Sequence, residues 1–164
     1  LNVINKYLSN IRLVLLKNPI AIEICSDLGF DTRGMYGIPI SFSDDIDVAA
    51  KTINANIILN TSLLEEDFSL IMRYVIHELV HAIQHIKMNN DKDPYDKYDY
   101  LDRPDEVEAF QYQIKFEDEY GSGNEDAIEY VEELIEYHDI EGRDAESKKE
   151  QLLDKVNDSS INKK

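Results

Sequence analysis

The chain of 164 residues has little or none of several sequence features, and each of these absences excludes a class of protein or structure. Its one cysteine, Cys25, cannot form an internal disulfide, which favours a reducing compartment such as the cytoplasm. It has no run of about 18 apolar residues, so we expect no transmembrane helix. The apolar stretch near its start is broken by charges and by Pro19 and lacks a small-residue cleavage pattern, which argues against a signal peptide.

Basic residues are also scarce. The chain has 17 Lys and Arg against 34 Asp and Glu, a net charge of −17. The electrostatic field of this negative charge repels nucleic acid phosphates and anionic lipid surfaces, so we expect neither nucleic acid nor a membrane as a partner. The chain begins at Leu1 rather than at methionine, and we therefore expect a piece of a longer parent protein or assembly, or a processed product.

Periodic apolar residues and chain breakers predict the elements of the first half. Helical spacing over residues 2–28, interrupted by Pro19, predicts two N-terminal helices. The segment MYGIPISF predicts extended chain, with Pro39 favouring an edge strand. The β-prone run ANIILN, residues 55–60, predicts a short strand, and a helical pattern follows from about residue 65 to 88.

The second half begins with a polar, tyrosine-rich segment at 89–103, which predicts a loop. Pro104 suits the first turn of a helix, which we expect to run to about Tyr120, where the sequence GSG ends it. Two acidic helices are predicted at 125–138 and 143–157. With no internal repeat, we expect one domain over 1–164 with its core at 36–120.

The segment VIHELVHAIQH carries three of the four histidines. On a helix, residues four apart lie about 40° apart around the axis, so His77 and His81 can reach one metal ion. Glu78 points about 100° away from His77, where it can reach a water bound to that ion. Two imidazoles holding Zn²⁺ and a glutamate acting as general base are the arrangement for metal-assisted hydrolysis.

A simpler interpretation is an amphipathic helix with incidental histidines. Its apolar stripe would consist of Tyr74, Val75, Leu79, Ile83 and Ile86. His85 lies about 12 Å along the axis from His77, too far to share a tetrahedral ion, and we expect it at the surface or behind the ligands. The remaining histidine, His138, is expected at the surface or in the core.

A third ligand must come from elsewhere, and RPDEVEAF offers candidates. Glu106 precedes Ala109 by three residues, and the small side chain would let its helix approach the HELVH helix closely. Glu108 is the alternative ligand. Acidic residues in a first helical turn also complement the helix dipole without binding any metal.

HELVH followed by EVEA resembles the gluzincin branch of zinc metallopeptidases, in which a downstream glutamate completes HExxH. The order of elements is similar to that of small ImmA/IrrE-like zincin domains, over about residues 55–116. The resemblance implies a mostly helical α+β fold with a small sheet beside the HExxH helix. It also implies one zinc per chain, held by His77, His81 and Glu106. Phe110 departs from larger gluzincins, which often have aspartate at that position.

Other residues could assist the reaction or simply pack. Tyr95, Tyr98 and Tyr100 could donate a hydrogen bond to an oxyanion, and Arg103 could do so or bind a substrate carboxylate. Each could equally pack or pair within its loop. Cys25 could cap the zinc in a latent form, but a buried small hydrophobe is the simpler interpretation.

Two functions follow from these residues. The first is a zinc-dependent metalloendopeptidase of peptide or protein substrates, with Glu78 as general base and ANIILN as the edge strand that binds extended peptide. The second is a non-catalytic zincin-fold module that serves a structural or interaction role in a larger viral or multidomain assembly. Glu78 argues against the second, because a structural zinc site has no use for a general base.

Overall fold

A computed structural model describes residues 2–88, 97–121 and 124–156. They form a mostly helical α+β protein with a small three-stranded mixed sheet, which confirms the predicted fold class. The chain divides into two compact units, Leu1–Lys92 and Asp93–Lys164. In the described residues, no helix combines the length and the apolar character needed to cross a membrane. The expectation of one domain over 1–164 stays a prediction.

The first unit opens with two helices, α1 (Asn2–Lys17) and α2 (Pro19–Asp27), as predicted. The Asn18 side chain accepts hydrogen bonds from the backbone N–H groups of Ile20 and Ala21, so it caps α2, and Pro19 occupies its first turn. Gly29 then takes a left-handed φ of +66°, a conformation that suits glycine after a helix end.

The sheet contains β1 (Ile40–Ser43), β2 (Ala50–Ile53) and β3 (Asn56–Asn60), in the order β1-β3-β2. Strand β1 pairs parallel to β3, and β2 pairs antiparallel to it. The expected edge position of the strand after Pro39 is confirmed. The expectation that ANIILN is an edge strand is wrong, because β2, which the sequence pattern does not reveal, pairs with β3 on its other side. Part of MYGIPISF is also not extended, since Thr32–Gly37 forms a 3₁₀ helix.

The long helix α3 (Phe68–Met88) lies in the core of this unit. It begins three residues later than predicted, because Thr61–Glu65 forms a 3₁₀ helix capped by the Asn60 side chain. Burial extends around most of its circumference rather than along one stripe, and Ile86 of the expected stripe is exposed. Its buried residues are Ile71, Met72, Val75, Ile76, His77, Glu78, Leu79, Val80, Ala82 and Ile83.

The second unit contains α4 (Pro104–Tyr120), α5 (Asn124–Tyr137) and α6 (Gly142–Leu152). The bounds of α4 and α5 are close to those predicted, whereas α6 ends at Leu152 rather than at the predicted 157. Apolar residues of the three helices, together with Leu101, form its core. In α5, Ala127, Val131 and Ile135 recur every four residues and are buried. The acidic residues from 127 onward in this helix are exposed, namely Glu129, Glu132, Glu133 and Glu136.

Candidate metal centre

Helix α3 brings the rings of His77 and His81 together one turn apart. Their Nε2 atoms lie 3.2 Å from each other, and the rings meet nearly edge to face, with centroids 4.9 Å apart. His77 is 7% exposed and His81 is half-buried, so both sit within the body of the unit rather than on its outer surface. The predicted histidine pair is therefore a real side-chain pair in the structure.

This separation can be tested against the geometry of a zinc ion. Two nitrogen ligands about 2.0–2.1 Å from a tetrahedral ion lie about 3.3 Å from each other. The observed Nε2–Nε2 distance of 3.2 Å agrees with that separation. The distance between the two nitrogens therefore allows both to bind one ion.

Gln84 contacts the ring nitrogen of His81 that lies away from His77. Its Oε1 lies 2.8 Å from Nδ1 of His81. Because a carbonyl oxygen can only accept, this contact favours the tautomer with the proton on Nδ1, in which Nε2 is the atom that can bind a metal. Motif reading alone does not assign this role to Gln84. The signal that could have found it is its place three residues after His81 on the same helical face.

Glu78 is 7% exposed, and a residue of the sheet donates a hydrogen bond to its carboxylate. The hydroxyl of Thr52, in β2, donates to Oε2 of Glu78 at 2.9 Å and lies 3.2 Å from the backbone carbonyl oxygen of the same residue. Sequence reasoning missed Thr52, because this contact spans 26 residues and depends on a strand that the pattern did not predict.

His85 stays apart from the other two histidines. Its ring is exposed, and the centroid lies 6.5 Å from that of His81. Its Nδ1 accepts a hydrogen bond of 3.4 Å from the backbone N–H of Ala55, in the turn between β2 and β3. The exposed ring agrees with the expectation of a histidine at the surface or behind the ligands.

No protein-family model, curated protein or solved structure matches this chain. The resemblance to gluzincins therefore rests on HELVH, on EVEA and on the order of elements, and it stays a prediction.

The two candidate third ligands lie in the first turns of α4, in the second unit. Glu106 is 7% exposed and Ala109 is fully buried, whereas Glu108 is half-buried. Ala109 therefore marks the buried face of this helix, as the spacing argument requires, and Glu106 lies on that face. A buried carboxylate needs compensation from a cation or from hydrogen bonds, which makes Glu106 the better candidate for a metal ligand.

Two of the candidate substrate-binding side chains, Tyr100 and Arg103, make contacts within this unit. Tyr98 and Tyr100 are exposed, and the ring of Tyr100 stacks on that of His138 with centroids 5.3 Å apart. The Arg103 guanidinium donates to the carboxylate of Asp105 at 3.2 and 3.3 Å. Tyr95 lies outside the described residues. These contacts show packing and pairing, and a role in the reaction stays a prediction for each.

Cys25 lies in α2 and is fully buried. Burial raises the pKa of its thiol, and the nearby negative charge of Asp31 raises it further. A thiol held protonated is a poor metal ligand and a poor nucleophile, which agrees with the interpretation of Cys25 as a small buried hydrophobe.

Proposed function

We propose that this protein is a zinc-dependent metallopeptidase that hydrolyses peptide bonds. In this proposal His77, His81 and Glu106 hold one zinc ion per chain, and Glu78 is the catalytic base. The observation that carries it is the 3.2 Å separation of the two Nε2 atoms, with the buried carboxylate of Glu78 on the adjacent residue. A purely structural zinc site would have no need of that carboxylate.

A bound zinc ion would supply a water of lowered pKa and positive charge for the developing oxyanion. The chain's own residues then carry the protons. Glu78 accepts a proton from the attacking water through its carboxylate and delivers it to the nitrogen of the departing amine. The Gln84 side chain, 2.8 Å from Nδ1 of His81, favours the tautomer whose Nε2 can bind the metal.

We assign the substrate to β2 rather than to β3. Within the described residues β2 pairs only with β3, so its outer edge carries backbone donors and acceptors that an extended peptide can pair with. Its residue Thr52 contacts Glu78, which puts this edge beside the proposed base. The net charge of −17 favours neutral or basic peptides, and we propose a reducing, cytoplasmic setting because of the single buried Cys25.

The experiment compares the zinc-loaded wild type with Glu78→Gln on a broad peptide library read by mass spectrometry. The amide cannot accept the water's proton at neutral pH, so we expect hydrolysis to fall by about a thousandfold or more, while zinc content and the circular dichroism spectrum stay unchanged. A zinc-loaded wild type that cleaves no peptide would overturn the proposal and favour a non-catalytic module.

A further inference from the structure

We propose that Thr52 is a positioning residue that orients the Glu78 carboxylate for proton transfer. This inference rests on the proposed peptidase function and extends it to a residue outside the HELVH motif. The Thr52 hydroxyl donates to Oε2 of Glu78 at 2.9 Å, within the normal range of O–H···O hydrogen bonds.

The bond restricts the carboxylate in a specific way. A hydroxyl has one proton, and the shorter of its two contacts is to Oε2 rather than to the backbone carbonyl oxygen at 3.2 Å. In this proposal, holding Oε2 restricts the rotation of the carboxylate and leaves Oε1 to accept the proton of the attacking water. An unheld carboxylate would sample other rotations and spend less time aligned for the transfer.

The register of the sheet explains why this side chain reaches Glu78. Thr52 pairs with Ile57, whose side chain is fully buried, and paired residues of antiparallel strands lie on the same face. Lys51 and Ile53 lie on the opposite face because side chains alternate along a strand. Of the two β2 residues on the inner face, Ala50 and Thr52, only Thr52 has a hydroxyl to donate.

The placement also joins two proposed roles in one strand. The strand whose outer edge would bind the peptide is the strand whose inner face holds the base. A purely structural bond between β2 and α3 would affect folding and peptide binding, whereas a positioning bond acts mainly on the chemical step. The two roles can therefore be distinguished by kinetics: loss of a positioning bond lowers kcat and leaves KM nearly unchanged, whereas loss of a structural bond also changes KM.

The test uses the full zinc-loaded chain and three variants. Thr52→Val keeps the shape and removes the donor, Thr52→Ser keeps the donor, and Thr61→Val makes the same chemical change in the 3₁₀ helix that follows β3. We expect Thr52→Val to lower kcat about tenfold with KM and zinc affinity within about twofold of wild type. Thr52→Ser should retain kcat within about threefold, and Thr61→Val should match the wild type.

A second readout is independent of catalysis. In the metal-free protein, a double-mutant cycle between Thr52→Val and Glu78→Ala should show coupling of about tenfold in the unfolding equilibrium constant. Additive effects in this cycle, or equal losses of kcat in Thr52→Val and Thr52→Ser, would overturn the positioning role while the peptidase stands. An inactive zinc-loaded wild type would instead overturn the peptidase proposal, and the role of Thr52 in the reaction with it.

Discussion

His77 and His81 place their Nε2 atoms 3.2 Å apart because four residues of helix return a side chain to nearly the same direction. His85 continues that series, but its ring contacts the backbone N–H of Ala55 in the turn between β2 and β3. The helix therefore carries three histidines of which two form a pair suited to one ion.

The first prediction follows from this pair. His77→Ala or His81→Ala should abolish stoichiometric zinc binding, since either change removes one of the two imidazoles that define the site. His85→Ala, as the matched control on the same helix, should keep one zinc per chain. Zinc content after dialysis, measured by mass spectrometry, tests this, and zinc retained at full stoichiometry in the double variant His77→Ala/His81→Ala would rule out the site.

The second prediction distinguishes the two acidic residues of α4. Glu106 is buried on the face marked by Ala109, and Glu108 is half-buried. Glu106→Ala should weaken zinc binding by orders of magnitude, because it removes a proposed ligand. Glu108→Ala should weaken it about 10–100-fold at most, the size of loss expected when a residue only supports a ligand. Titration against a competing chelator measures both, and a larger loss in Glu108→Ala would reverse the assignment.

Among the elements, the helices could be predicted from sequence and much of the sheet could not. The bounds of α1, α2 and α4 follow from local signals, namely apolar spacing with Pro19, Pro104 and Gly121 at their ends. Strand β2 is four residues, AKTI, with no clear alternation of apolar and polar residues. It forms because it pairs with β3, and such pairing partners are not encoded in a local pattern.

The same division applies to the candidate site. His77, Glu78 and His81 belong to one motif on one helix, so their spacing alone predicts their proximity. The contact of Thr52 with Glu78 needs the position of β2 in the sheet and its register with β3. Assigning ANIILN to the edge was wrong for the same reason, because the order of strands is a property of tertiary structure.

The turn between β2 and β3 provides the third prediction. Asn54 and Ala55 both have positive φ, +49° and +65°, as in a two-residue hairpin turn that favours glycine at its second position. Ala55→Gly should relieve the left-handed strain and stabilise the protein by about 0.5–1 kcal/mol. The hydrogen bond from the backbone N–H of residue 55 to His85 does not involve the side chain, so the substitution leaves it unchanged.

The matched control for this turn is Ala50→Gly, in the extended part of β2, which should destabilise the protein by about 0.5–1 kcal/mol through added freedom of the unfolded chain. Urea unfolding followed by circular dichroism measures both variants. If Ala55→Gly lowers the unfolding midpoint as Ala50→Gly does, the turn does not carry the strain that its φ angles indicate.

At the scale of the whole molecule, charge is unevenly distributed along the sequence. Residues 1–92 contain 11 acidic and 8 basic residues, a net charge of −3. Residues 93–164 contain 23 acidic and 9 basic residues, a net charge of −14. Pairs such as Lys149 with Glu132, at 2.9 Å, offset only part of this excess. The proposed zinc ligands include Glu106 from the acidic part, so a divalent cation would also reduce its repulsion.

The last prediction concerns this repulsion. Raising sodium chloride from about 0.01 M to about 0.5 M shortens the screening length from about 30 Å to about 4 Å, so like charges on α5 and α6 repel each other less in the folded state. The free energy of unfolding of the metal-free protein should rise by about 1 kcal/mol, which corresponds to a rise in Tm of about 2–4 °C. Glu133→Lys should reduce this salt response, because it lowers the acidic excess and places a cation four residues from Glu129 on the exposed side of α5. Thermal unfolding at matched protein concentration measures both proteins, and a Tm that falls with salt would mean that attractive pairs outweigh the repulsion of the acidic helices.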